Sequence, residues 1–161
     1  QTKEIPTMPN WCRNRVTISS NNYDDDSQFQ ELVKKFKLDR PFNAILPQPD
    51  WKKIKNEDGE LPVEELHRND KGEVVCASWN FPKSGKNDDR WYNWANTYWG
   101  TKWDACDLES EIEEDYAEFE FNTAWAPAEG IFHKIKQDYP DVAISWFYDE
   151  PGCEFAGYLP N

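Results

Sequence analysis

Two adjoining stretches hold the side chains most able to do chemistry. Lys102-Trp103-Asp104 sets a base and an acid on either side of an indole, with Asn93 and Asn96 shortly upstream. An ammonium, a carboxylate, two amides and a ring could rim a small-ligand pocket or form part of a binding surface. From Asp104 to Glu120 every charged residue is then an acid, and Asp107, Glu109, Glu111, Glu113, Glu114 and Asp115 make up the middle of that run. Such a block suits a solvated face, a site for a hard cation, or a patch that meets a basic partner. It lacks the spaced glycine of a calcium loop, so no metal site is assigned.

Other chemistries find little support. Two histidines and no strained nucleophile turn leave no Ser-His-acid constellation, and no glycine-rich phosphate loop precedes a helix. Glu118 and Glu120 share one strand face, opposite the aromatic side, which suits solvent better than general acid-base work. Cys12, Cys76, Cys106 and Cys153 are far apart and show no zinc or redox spacing, so they read as free thiols. His133, among Lys136 and Gln137, reads as solvent-facing. We assign no catalytic residue, no cofactor and no metal. A net charge of −13, from 31 acids against 18 bases, opposes direct binding to nucleic acid or to an anionic membrane. No apolar run is long enough to span a bilayer.

The elements that must position these residues are legible from periodicity. Val16 and Ile18 alternate with polar neighbours in a first strand. Ser27 and Gln30 resemble a capping box, followed by Phe29, Leu32, Val33 and Phe36 at helical spacing, with Glu31 able to pair with Lys35. The chain from about 42 to 105 reads as an insertion, in which Leu61–His67 suggests a brief helical turn and Glu73–Trp79 a short strand. Four of the nine tryptophans fall between Trp91 and Trp103. Trp91, Trp94, Ala95 and Tyr98 share one helical face with Trp99 beside them, which predicts core packing, and Gly100 can end that helix. Residues 107–113 alternate as an acidic edge strand, its charge guarding the edge against other chains. Ala117, Phe119, Phe121, Thr123 and Trp125 predict the inward face of the next strand. Pro127 opens a helix carrying Ile131, Phe132, Ile135 and Tyr139, and Val142–Tyr148 with Cys153–Leu159 forms a closing hairpin.

That order predicts an α+β fold, a ferredoxin-like sandwich with an antiparallel sheet, two main helices on one face and an inserted region bearing the short Trp-rich helix. Residues 1–7 read as an N-terminal extension before Met8, and 8–161 as a single domain. Aromatics on such a sheet could stack bases, but the charge has the wrong sign.

Several blocks resemble the YubB family of phage and plasmid proteins with a ferredoxin-like domain. They are Met8-Pro9-Asn10-Trp11-Cys12 with Asn14 and Val16-Thr17-Ile18; Pro47 and Pro49; Trp91-Tyr92-Asn93-Trp94; Trp99 to Ala105; Phe121-Asn122-Thr123-Ala124-Trp125 with Pro127; Tyr139-Pro140; Tyr148-Asp149-Glu150; and Phe155-Ala156-Gly157. The resemblance spans nearly all of residues 8–159. It implies a small cytoplasmic protein of a mobile element and supplies no reaction. The expected function is a non-enzymatic binding or interaction module with a protein partner. Two alternatives stay open: an acidic nucleic-acid mimic that inhibits a host defence protein, and a small-ligand or hydrolytic enzyme using the Lys102 and Asp104 region.

Overall fold

The computed structural model describes residues 9–160. The expected extension at residues 1–7 and the start at Met8 lie outside them. The chain divides into two compact units, Gln48–Trp94 and the remainder.

The larger unit is built on strand β1 (Trp11–Ser20). Its alternation sends Cys12, Asn14, Val16 and Ile18 into the core, while Arg13 and Arg15 point the other way and are exposed. In chain order there follow α1 (Ser27–Phe36), the one-turn α2 (Pro41–Ile45), β4 (Cys106–Ile112), β5 (Tyr116–Ala124), α4 (Glu129–Asp138), β6 (Val142–Glu150) and β7 (Phe155–Tyr158). Between α2 and β4 the chain forms β2 (Val63–Arg68), β3 (Val74–Asn80) and α3 (Arg90–Tyr98). The sheet order is β4-β5-β1-β6-β7. β1 runs antiparallel to both neighbours, with Val16 facing Phe119 on β5 and Trp146 on β6. Without β7, the four remaining strands, numbered along this unit, lie in the order second, third, first, fourth, and a helix follows the first and the third. This is the ferredoxin-like α+β arrangement, extended by β7 beside β6.

The core lies between this sheet and α1 and α4. Phe36 stacks on Phe119 with ring centres 4.5 Å apart, and Phe121 meets Trp146 edge-on at 5.6 Å and Phe42 at 5.6 Å. The buried Asn14 amide donates to Thr123 Oγ1 at 2.9 Å, and its Oδ1 accepts from Trp146 Nε1 at 2.9 Å. A polar side chain inside this aromatic core is thereby satisfied by the two neighbouring strands, β5 and β6.

The smaller unit carries a 3-10 turn at Trp51–Lys53 and a hairpin of β2 (Val63–Arg68) and β3 (Val74–Asn80). A two-stranded hairpin is marginal alone, and here Arg90 ties neighbouring segments together. Its guanidinium pairs with the buried Asp88 carboxylate at 2.8 Å, donates to Trp51 O at 3.0 Å, and lies over the rings of Trp51 and Phe81.

Four expectations need correction. Leu61–His67 is not a helical turn, since Val63–Arg68 pairs with β3. The Asn69–Glu73 turn, closed by the Asn69 side chain and by Gly72 at φ +79°, sets that pairing over the helical preference of its glutamates. Ser27 is the first residue of α1 and does not cap it; Asp26 takes the cap position, where it accepts from Gln30 Nε2 at 3.0 Å. The aromatic helix is α3 (Arg90–Tyr98), but Ala95 is its only buried residue, and Trp91 and Tyr98 are exposed. The indole that fills the core is Trp99, one residue past the helix, 1% exposed and donating from Nε1 to Leu46 O at 2.9 Å. Trp125 does not continue the inward face of β5. At φ +70° it lies beyond the strand end and is 46% exposed, because the chain turns there toward α4.

Candidate functional site

The expected site around Asp104 has a clear structural job. Asp104 is only 11% exposed. Oδ1 accepts from the amides of Phe42 at 2.9 Å and Ala105 at 2.8 Å, and Oδ2 accepts from Asn43 at 3.0 Å. Phe42 and Asn43 are the second and third residues of α2, whose own cap position, Arg40, contributes no side-chain bond. Asp104 therefore caps α2 from some sixty residues away along the chain, satisfying amides that would otherwise be orphaned. Burial pushes its carboxyl above the usual carboxylate range, and the three amides pull it back. Lys102 lies over the Trp103 ring at 4.3 Å, and Trp103 in turn meets Trp11 with ring centres 6.1 Å apart. Asn93 and Asn96 are exposed on α3.

A second array lies on the sheet face turned away from α1 and α4. On β4 and β5, Glu109 stands opposite Glu120 and Glu111 opposite Glu118, so four carboxylates occupy two adjacent cross-strand positions. On β1 beside them, Arg15 Nε reaches Glu120 at 2.9 Å and Glu118 at 3.7 Å, which raises the guanidinium pKa above its ordinary value. Arg13 lies one pleat along, its register neighbours being Asn122 on β5 and Asp149 on β6. Across β1, Phe147 and Tyr158 of β6 and β7 bring their rings to 5.2 Å, and Tyr158 is 64% exposed. A shallow groove of about 400 Å³ runs between these strands, lined by Arg13, Arg15, Asp107, Glu120, Phe147 and Asp149 among others.

The acidic run is thus split by the pleat and the turn. Glu109 and Glu111 belong to the open face, Asp107 lines its groove and accepts from the Asn122 amide at 3.4 Å, and exposed Glu113, Glu114 and Asp115 lie in the β4–β5 connection. Among the described residues, no group of three or more His, Cys, Asp or Glu side chains is arranged to hold a metal ion. All four cysteines are free. Arg13, Arg15, Phe147 and Tyr158 escaped the sequence reading. Their signal was the alternation of Arg13, Arg15 and Thr17 with the buried positions of β1, but the strand order that brings them beside β5, β6 and β7 is tertiary.

Fold and site together define a ferredoxin-like α+β domain with an open, charged and aromatic sheet face. Residues 96–160, which include β4 to β7 and α4, match the family model described as a ferredoxin-like domain in Api92-like protein. Neither the curated proteins nor the solved structures gave a match. Among the described residues, no helix is long and apolar enough to cross a membrane.

Proposed function

We propose that this protein is a non-enzymatic binding module, a cytoplasmic accessory protein of a phage- or plasmid-borne element of the YubB type, which engages a protein partner through the open face of its five-stranded sheet. The observation carrying this reading is that face. Charged groups and paired rings stand uncovered on five adjacent strands, whereas Asp104, the acid of the expected Lys102–Asp104 site, is occupied by three backbone amides. Affinity capture from host lysate tests it, comparing the wild-type chain with one in which Asp107, Glu109, Glu111 and Glu113 are changed to Ser. Loss of a partner from the variant is expected, and identical partner sets would remove the acidic part of the face from the reading.

A second reading uses the same side chains as an acidic nucleic-acid mimic that fills the basic groove of a host defence protein. The two rows of carboxylates on β4 and β5 favour it. Binding to such a protein should weaken as salt rises, and salt-independent binding would count against it.

A further inference from the structure

We infer that the occupant of the open sheet face is an extended polypeptide segment with Lys or Arg at alternate positions. The inference rests on the binding-module reading above and names the partner's chemistry. Like charges directly opposite one another across strands are destabilising, yet β4 and β5 oppose Glu109 to Glu120 and Glu111 to Glu118. One guanidinium, Arg15, serves only the β5 pair. Among the described residues Glu109 and Glu111 have no ion pair or side-chain hydrogen bond. Cations arriving from outside would relieve this repulsion.

Spacing selects the form of the carrier. Side chains on one face of a strand recur every second residue, roughly 6.5 to 7 Å apart, so an extended segment with alternate bases matches Glu109 and Glu111 in register. Phe147 and the exposed ring of Tyr158 lie three and four strands from β4, roughly 14 Å or more across the sheet, beyond the reach of a segment aligned with Glu109 and Glu111. Among the described residues, β4 ends the sheet and no strand pairs with its outer side. A second copy of this chain would bring more carboxylate to that edge. A nucleic acid would set its phosphates against Asp107, Glu109, Glu111, Glu118, Glu120 and Asp149, with only Arg13 and Arg15 to receive them.

The test titrates the isotope-labelled full chain with a short peptide alternating Lys and Thr and, separately, with oligothymidylate, following backbone amide NMR shifts. Two charge-matched variants run beside the wild type: Glu109→Gln with Glu111→Gln and Glu120→Gln on the face, and Glu113→Gln with Glu114→Gln and Asp115→Asn in the turn. The peptide should shift amides of β4 and β5. Its affinity should fall about tenfold or more in the face variant, corresponding to about 1.4 kcal/mol, and should change little in the turn variant. Equal weakening in both variants would show attraction by net charge alone and would overturn the inference. Oligothymidylate shifting the face while the peptide does not would also overturn it, leaving the face as a binding surface. Peptide shifts confined to residues off the face, or none with either ligand, would remove both the inference and the face.

Discussion

Replacing Asp104 by Ala distinguishes a structural acid from a binding one. The substitution strips acceptors from the amides of Phe42, Asn43 and Ala105. Loss of a helix cap costs about 1 to 2 kcal/mol. Leaving a buried amide without a partner costs about 1 to 3 kcal/mol, and Phe42 is fully buried. Because the two costs overlap at the Phe42 amide, about 3 kcal/mol is a fair total. For a chain of this length that lowers the melting temperature by about 6 to 12 °C. Asn at the same position keeps one acceptor but turns an NH2 toward an amide, so Asp104→Asn should lose about 2 kcal/mol. Lys102→Ala, which removes only a contact over the Trp103 ring, should cost less than about 1 kcal/mol. Thermal and urea unfolding followed by near-ultraviolet circular dichroism reads all three. A stable Asp104→Ala protein, within about 0.5 kcal/mol of wild type, would refute the capping argument and return Asp104 to candidacy as a ligand-binding group.

Gly130→Ala should destabilise the larger unit by about 2 to 3 kcal/mol, since a Cβ there would lie 1.8 Å from the Tyr98 carbonyl oxygen and push the Trp99 turn away from α4; an unchanged urea midpoint would contradict this. In the smaller unit, Arg90 holds the Asp88 carboxyl below its ordinary value. That contribution is therefore complete above the unfolded carboxylate range of about pH 3.9 and is lost as the pH falls through the lower folded value. Asp88→Asn should then cost about 2 kcal/mol at neutral pH and progressively less in acid, as measured by hydrogen exchange of β2 and β3. Alkylation at mildly alkaline pH should label exposed Cys76 readily and spare Cys12, whose thiol burial pushes up to about 11, with further repulsion from Glu150; mass spectrometry showing equal labelling would refute it.

The sequence determined a good deal by itself. Local periodicity placed β1, α1, α3, β5, α4 and the closing hairpin, because each element repeats its apolar residues along its own axis and needs no distant partner to be recognised. The acidic strand expected at the edge does end the sheet, but its alternate glutamates record only a solvated face, since Glu118 and Glu120 stand on the same face of the internal strand β5. Tertiary structure decided which ring fills space and which acid is occupied. Trp91 and Tyr98 share a helical face with Ala95, yet only packing shows that this face stays largely exposed and that Trp99, beyond the helix, is the buried indole. Asp104 looked available because its three amide partners include two from residues about sixty positions earlier. The open face is the plainest case. Arg15 meets Glu118 and Glu120, and Phe147 meets Tyr158, only because the strand order sets β1 between β5 and β6 with β7 outside. Spacing along a strand records which side a residue faces, but the neighbour across the ladder depends on chain crossings, which leave no local periodicity.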